Sequence, residues 1–198
     1  MAAPDWLAAL APRAPDVVAV WNAIPDGETV IRSSIFRREL RERAGPGTAA
    51  AILAQQEAIG DALAAVLTDM PDELLRAPGG EGDWNVAQAF AHTTGARRYL
   101  VFAAAQAARG EWPAEPPLVV PGVPGRADAD RETLLTLLDK SRRSMAASAE
   151  SIAGHEADRC PLDHPLVGHL RCGEWLLFAG VHDLMHLEQL HGLLAAGA

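Results

Sequence analysis

The stretch GEWLLFAGVHDLMHLEQLHGLLA, residues 173–195, decides the fold of this chain. Apolar residues recur in it every three to four positions, which is the period of an amphipathic helix. His182 and His186 lie four residues apart on its apolar side, so their side chains project from one face, one turn apart. Because buried imidazoles need polar partners, the pair predicts a binding site inside a helical protein. The apolar stripe consists of Trp175, Phe178, Ala179, His182, His186, Gln189 and Leu193.

Three earlier stretches have the same spacing and complete a set of four predicted helices. They cover roughly residues 48–70, 84–109 and 128–153, ahead of the fourth at 173–195. Alanine and leucine, which have high helix propensity, are abundant in all four. The residues expected to cap the helix starts are Thr48, Asp83 and either Asp128 or Asp130.

These four helices predict an all-α fold, a four-helix bundle over residues 48–198. No long alternating stretch follows residue 48, so no sheet is expected there. The proline-rich connection at 110–127 can span on the order of 50 Å when extended. A helix of about 25 residues is only about 38 Å long. The second and third helices can therefore run parallel, which gives an overhand (up-down-down-up) topology.

Residues 1–47 form a separate N-terminal extension in this interpretation. Residues 17–21, VVAVW, and 29–36, TVIRSSIF, flank the turn-like NAIPDGE and favour a hairpin, and FRRELRER favours a short charged helix. We expect the extension to pack its large side chains on the outside of the bundle. A lid over the binding site and a dimer contact are the alternatives. The large side chains in question are Trp6, Trp21 and Phe36.

The amino-acid composition indicates which binding partners and which cellular compartment to expect. The net charge of −9 disfavours nucleic acid, whose phosphates attract clustered Lys and Arg. Cys160 and Cys172 form no CxxC pair, and no basic leader or run of 18 apolar residues is present, so we expect a cytoplasmic protein without a membrane span. Lys140 is the only lysine, a bias that we interpret as that of a GC-rich bacterial genome.

His92 is the third histidine that the pattern places in the interior. It lies in the middle of the second helix, on a stripe of small and apolar residues that also holds Ala89 and Tyr99. Taken alone, a histidine on such a face is more often a hydrogen-bonded core residue than a ligand.

Two motifs nevertheless resemble a known family. DWNVAQAFAHTTGA at 83–96 and HPLVGHLRCGEWLLFAGVHDLMHLEQL at 164–190 are similar to the motifs of the DinB-like (DinB/YfiT) superfamily of metal-dependent four-helix-bundle proteins. The resemblance covers about residues 48–198, and residues 1–47 have no counterpart in it. The matching residues are Trp84, His92, His164, Pro165, Gly168, Leu170, Trp175, His182, His186 and Gln189.

The resemblance implies an overhand bundle, often dimeric, in which His92, His182 and His186 hold one divalent ion, with Zn or Ni the first choices. Some members are thiol-dependent transferases related to mycothiol-dependent maleylpyruvate isomerase and to bacillithiol transferases. It therefore implies a thiol-dependent S-transferase that joins a low-molecular-weight thiol, mycothiol or bacillithiol, to small electrophiles. A homodimer is expected on the same ground.

A metal ion held by three histidines is compatible with more than one function. Three neutral imidazoles leave the ion its full charge and at least one open position, as in catalytic sites. The same site suits a hydrolase of a small amide or ester, and a non-catalytic, stress-related metal-binding protein is the third alternative. HDLMH is not expected to be a zinc-protease HExxH motif, because Asp183 replaces the general-base glutamate.

Further side chains have two interpretations each. Gln189 is expected either to orient a metal-bound water or a substrate, or to satisfy a buried carbonyl. Trp175 and Tyr99 are substrate-pocket candidates, although aromatic residues at helical spacing are more often core. His164 and His169 precede the last helix and can reach the site mouth, but we expect them to pack that loop. Cys172 is expected to be a small buried residue rather than a thiolate.

Overall fold

The computed structural model describes residues 4–24, 29–45, 47–79, 82–115, 119 and 122–197. Within these ranges the chain forms seven α-helices and one two-stranded sheet. The helices are α1 (Asp5–Leu10), α2 (Pro15–Ala23), α3 (Thr29–Ala44), α4 (Ala49–Asp69), α5 (Val86–Ala108), α6 (Arg131–Ile152) and α7 (Cys172–Gly197), and the strands are β1 (Arg159–His164) and β2 (Gly168–Arg171).

Helices α4 to α7 are the four long helices and form the bundle. Helix α5 packs against α6 and α7, and α4 packs against the same two helices on the other side. Thus α4 and α5 occupy one diagonal of the bundle, and α6 and α7 occupy the other. The predicted all-α four-helix bundle is confirmed. Its fully buried centre includes Phe90, Leu63, Leu134, Leu138, Leu184 and Trp175.

Hydrogen bonds at the helix ends define the relative directions. Arg131, at the start of α6, donates from Nε to the carbonyl of Leu67, near the end of α4, at 3.1 Å, so these two helices are antiparallel. Asn85 Nδ2 donates to the Ala127 carbonyl at 2.8 Å at one end of α5 and α6. Arg109 Nη1 donates to Ser151 Oγ at 3.0 Å at the other end. Helices α5 and α6 are therefore parallel, which favours the overhand connection.

The start of α5 differs from the sequence prediction. Asn85 is the cap rather than Asp83: its side chain accepts from the Gln88 amide at 2.9 Å, and the Gln88 side chain accepts from the Asn85 amide at 3.1 Å. This reciprocal pair is a capping box, which satisfies two amides of the first turn. Thr48 caps α4 as predicted, and of the two alternatives for α6 the cap is Asp130.

The sheet was not expected, and it lies just before α7. Strands β1 and β2 are antiparallel, with Arg159 opposite Arg171 and His164 opposite Gly168. Alternating burial extends over only six residues in β1, which is too short for a period of two to stand out in the sequence. Gly168 has φ +64, a left-handed conformation that glycine adopts without strain at this turn. The hairpin directs the chain into the first turn of α7.

The predicted hairpin of residues 17–21 and 29–36 is wrong, because both segments are helical as parts of α2 and α3. Residues 25–28 of its turn lie outside the described residues. Pro15 begins α2, at the position where proline suits a helix. Gln55 of α4 binds the open end of α2, since its Oε1 accepts from the Asp16 amide at 2.8 Å. A tertiary contact thus overrides the strand preference of the valines.

The large side chains of the first 47 residues pack against α7 or the core. Trp6 stacks on His191 with ring centroids 5.3 Å apart, and Phe36 contacts Phe178 at 5.5 Å. Trp21 is partly buried against the core.

Helix α4 alone among the described helices is long and apolar enough to span a membrane. Half of its most apolar window is buried inside the protein, as in a core helix.

We predict that Asn85→Ala lowers the free energy of unfolding by about 1 kcal/mol, because it removes the cap of α5. Asp83→Ala is the matched control, and it should change stability by less than about 0.5 kcal/mol since Asp83 is exposed. Urea unfolding followed by circular dichroism measures both. Equal losses in the two variants would contradict the assignment of the cap.

Candidate metal centre

Three imidazoles meet between α5 and α7. His92 comes from α5, and His182 and His186 come from successive turns of α7. The ring centroids are 4.7 Å apart for His182 and His186, 5.5 Å for His92 and His186, and 5.8 Å for His92 and His182. One ring nitrogen from each residue lies within 4.8 Å of the other two. This group can hold one divalent ion.

A buried ion pair lies next to this cluster. Arg97 Nε is 2.9 Å from Asp183 Oδ2, and the two side chains are 1% and 0% exposed. The contact is an ion pair rather than a well-aligned hydrogen bond. Arg97 Nη2 also donates to the Gln56 carbonyl at 3.2 Å, so the guanidinium joins α5 to both α7 and α4. Asp183 is therefore paired and sealed from solvent, and it cannot act as an HExxH-type general base.

Gln189 fixes the orientation of His186. The Gly79 carbonyl can only accept a hydrogen bond, so the atom of Gln189 that faces it is the donor Nε2. The Oε1 atom of Gln189 therefore faces His186. His186 Nδ1 lies 3.1 Å from that oxygen and must carry the proton. The other ring nitrogen, Nε2, is left with its lone pair. Gln189 thus orients one of the candidate ligands, a role that was not predicted from the sequence. It also satisfies the Gly79 carbonyl, which is one of its two predicted roles.

The ring nitrogens that lack hydrogen-bond partners in the described part of the chain show that a metal ion fits this site. His186 Nε2 is buried and has no hydrogen-bond partner among the described residues, and the same holds for His182 Nδ1. Buried polar atoms without partners are costly, and a metal ion is a ligand that such lone pairs accept. Burial, with the neighbouring His182, lowers the pKa of His186 to about 4, so this imidazole is neutral near pH 7 as metal ligation requires.

His92 is held by a ring and a loop. Its imidazole packs on Trp84 with centroids 5.2 Å apart. The backbone of Gly122 lies against both: a Cβ at this position would lie 2.5 Å from Trp84 Cη2 and 3.0 Å from His92 Cε1. Only glycine fits this approach without displacing a ring. The tryptophan of the first motif therefore supports the ligand on the next turns of α5.

A large cavity of about 1280 Å³ opens beside the cluster, and His92 and His182 form part of its wall. His186 is not among the lining residues and lies behind the other two. An ion on the three imidazoles would therefore be reached from the cavity side. The apolar wall includes Trp21, Phe36, Tyr99, Val119, Leu137 and Phe178.

The predicted supporting residues divide into two groups. Tyr99 lies in the cavity wall, and burial raises the pKa of its hydroxyl. Trp175 and Gln189 do not line the cavity, so their assignment as substrate-pocket residues is corrected. Trp175 is fully buried and packs edge-on against Phe178 at 5.5 Å, which places it in the core behind the wall. The period of the helix could not separate wall from core, because both lie on its apolar side.

One of the two histidines that precede α7 lines the cavity, and both cysteines lie in the core. His164 lines the cavity, contacting Phe178 at 5.2 Å, whereas His169 lies 3.3 Å from the Leu162 carbonyl and does not line it. Both cysteines are fully buried, and burial raises the pKa of Cys160 to about 11 and of Cys172 to about 12. Cys172 is thus a protonated core residue despite its place at the start of α7.

Several residues of the site were not predicted from the sequence. Arg97, Trp84 and Gly122 were not assigned to the site, although Arg97 follows His92 by five positions within a largely apolar helix. A charge in the interior of such a helix is itself a signal, since arginine is rarely buried without a partner. The approach of the Gly122 loop has no comparable signal, because it depends on tertiary packing.

The family profile of the DinB superfamily matches residues 55–190, more than half of the chain. The chain therefore belongs to the DinB superfamily. The matched range contains all three histidines of the cluster, and α1, α2 and α3 lie outside it. No curated protein and no solved structure matches the chain significantly.

We predict that Arg97→Met lowers the free energy of unfolding by about 3 to 5 kcal/mol, because it leaves the Asp183 carboxylate buried and unpaired. The double variant Arg97→Met with Asp183→Leu removes both charges and should regain much of that loss. Urea unfolding of the two single variants and the double variant gives the coupling energy. Additive losses would show that the two groups do not stabilise each other.

We predict that Gln189→Leu weakens zinc binding about 10- to 100-fold, because His186 loses the acceptor that orients its ring. Competition with a chromophoric chelator measures the affinity. Glu150→Gln is the control, since Glu150 is exposed on α6 and does not line the cavity. Zinc affinity unchanged in Gln189→Leu would sink the orienting role.

Proposed function

We propose that this chain is a metal-dependent thiol S-transferase. It binds one divalent ion, Zn or Ni, through His92, His182 and His186 and joins a low-molecular-weight thiol to a small electrophile. The observation that carries the proposal is the meeting of three imidazoles, two of them with a buried and unpartnered nitrogen, at the wall of a large apolar cavity.

The donor set supports this chemistry. The cluster offers imidazole donors only, and the buried carboxylate next to it, Asp183, is paired with Arg97. Such ligands retain the double charge of an ion and suit zinc and nickel. When bound, the ion supplies a Lewis acid that favours the thiolate over the thiol near neutral pH.

The thiol must come from outside the protein. Cys160 and Cys172 are both fully buried and held protonated, and neither lines the cavity. A low-molecular-weight thiol such as mycothiol or bacillithiol is therefore the proposed co-substrate. The cavity volume of about 1280 Å³ exceeds that of an ordinary ligand site, so it has room for a thiol and an electrophile together.

The chain's own residues bind and orient the reactants. The aromatic and aliphatic wall holds the electrophile against the histidine cluster and keeps water from competing with the thiol. In the transfer, one carbon–sulfur bond forms and the bond to the displaced group breaks. The displaced group takes the electron pair, and the thiol proton passes to solvent. Tyr99 lies in the same wall with its hydroxyl protonated, and we propose it as a hydrogen-bond donor to the reactants.

A hydrolase of a small amide or ester is the second candidate, and one observation favours it. Glu188 lies in the cavity wall two residues beyond His186, and a carboxylate there could act as general base for water. A non-catalytic, stress-related metal-binding protein is the third. We also propose a cytoplasmic homodimer in which residues 1–47 are an extension of the 48–198 bundle. Nucleic acid and membrane are not proposed as partners, given the net charge of −9.

We predict that cobalt(II) bound to the wild-type protein gains a sulfur-to-metal charge-transfer band when mycothiol, bacillithiol or 2-mercaptoethanol is added. His182→Ala should lose both the metal and the band, because a ligand is gone. His191→Ala is the control on the same helix, since its ring stacks on Trp6 away from the cluster. Metal analysis and visible absorption spectra are the measurements.

Two outcomes would replace the proposal. A cobalt spectrum that no thiol perturbs, with hydrolysis of a small amide or ester, would favour the hydrolase. Bound metal with neither activity would favour the non-catalytic metal-binding protein.

A further inference from the structure

The cavity wall carries a local excess of positive charge in an acidic protein. Its charged lining residues, apart from the histidines, are Arg32, Arg98, Lys140 and Glu188, three cations against one carboxylate. All four side chains are exposed, so they lie where the cavity meets solvent. Within the described part of the chain, no carboxylate forms an ion pair with any of the three cations.

The parallel packing of α5 and α6 brings two of these cations to one level. The hydrogen-bonded pairs Asn85–Ala127 and Arg109–Ser151 are each separated by 42 positions. Arg98 and Lys140 are also 42 positions apart. They therefore lie at the same height on neighbouring helices and line the same cavity, so that both charges act on what the cavity binds.

The pair lies a short distance along α5 from the histidine cluster. Arg98 follows His92 by six positions, which corresponds to about 9 Å along a helix axis. Gly95, between them, also lines the cavity, and a Cβ there would meet nothing within 4 Å. Open space therefore extends from the cluster toward the cations.

The third cation comes from outside the matched family range. Arg32 lies on α3, one turn before Phe36, whose ring contacts Phe178 of α7 at 5.5 Å. Both residues line the cavity. The aromatic contact thus holds this face of α3 toward the cavity that Arg98 and Lys140 border from the other helices.

We propose that the electrophile bears a carboxylate on an apolar body, with the carboxylate held by Arg98, Lys140 and Arg32 and the body against the aromatic wall. This rests on the proposed function, because it identifies the substrate class of the same site. Charge complementarity carries the inference. Exposed apolar residues at the cavity, Tyr99, Val123, Leu166 and Met185, fit the body of such an amphipathic anion.

The test uses 4-phenylbutyrate and its neutral isostere 4-phenylbutanamide as probes in isothermal titration calorimetry. Metal-free protein in chelator is used first, so that binding of the carboxylate to an ion cannot contribute. We expect the acid to bind at least tenfold more tightly than the amide, and the preference to fall as sodium chloride is raised from 0.05 to 0.5 M. Equal binding of the two probes would overturn the proposal.

The double variant Arg98→Gln with Lys140→Gln should reduce the preference at least tenfold and leave binding of the amide unchanged. Arg143→Gln is the matched control, because Arg143 is an exposed cation on α6 that does not line the cavity. A preference that survives in the double variant, or that is lost in the control, would overturn the assignment. Circular dichroism verifies that each variant is folded.

The same calorimetry separates this inference from the proposed function. Binding to metal-free protein does not require thiol transfer, so a failed cobalt test leaves the carboxylate result interpretable. Mercaptosuccinate and 2-mercaptoethanol form the second pair of probes. A tenfold preference between these thiols, with none between the phenyl probes, would assign the cations to the thiol and overturn the assignment to the electrophile.

Discussion

The buried ion pair of Arg97 and Asp183 is the constraint on which the arrangement of α5 against α7 depends. Each charge, taken alone into the interior, would cost several kcal/mol, so a packing that separates them is strongly disfavoured. Sliding α5 by one turn along α7 would move the partners about 5.4 Å apart and leave both unpaired. The register that keeps them together is also the one that brings His92 against His182 and His186. The ion pair and the histidine cluster therefore depend on the same register of α5 against α7.

The histidine cluster itself opposes folding in the absence of a ligand. His186 is 2% exposed and one of its nitrogens has no partner among the described residues, and His182 has a buried nitrogen in the same condition. Such atoms lower stability rather than raise it. The apolar core around Phe90, Leu63 and Trp175 supplies the stabilisation that offsets them. Polar atoms that a fold tolerates at a cost, and that converge on one point, are the physical signature of a ligand site.

The parts of this structure that could be predicted from the sequence are those that local spacing determines. The four bundle helices follow from a period near 3.6, and the pairing of His182 with His186 follows from a separation of four. The β-hairpin, the helical state of α2 and the capping of α5 by Asn85 depend on tertiary partners or on a choice between adjacent polar residues, and the sequence analysis missed them. The choice between pocket and core for Trp175 could not be made for the same reason, since a helix period identifies the buried side and not the neighbour.

The N-terminal helices contribute to the cavity wall, whereas the bundle positions the histidines. The histidines lie inside the matched range of the DinB superfamily, whereas Trp21 and Phe36, which line the cavity, lie outside it. Helix α3 is held on α7 by Arg41, whose Nε donates at 2.9 Å to Glu174. The Glu174 side chain also accepts from the amide of Arg171, the last residue of β2, just before α7. One buried carboxylate thus fixes both the helix that carries two ligands and the wall that faces them. Changes in that wall can alter which molecule fits without moving the imidazoles, because the ligands are positioned by the bundle and not by the extension.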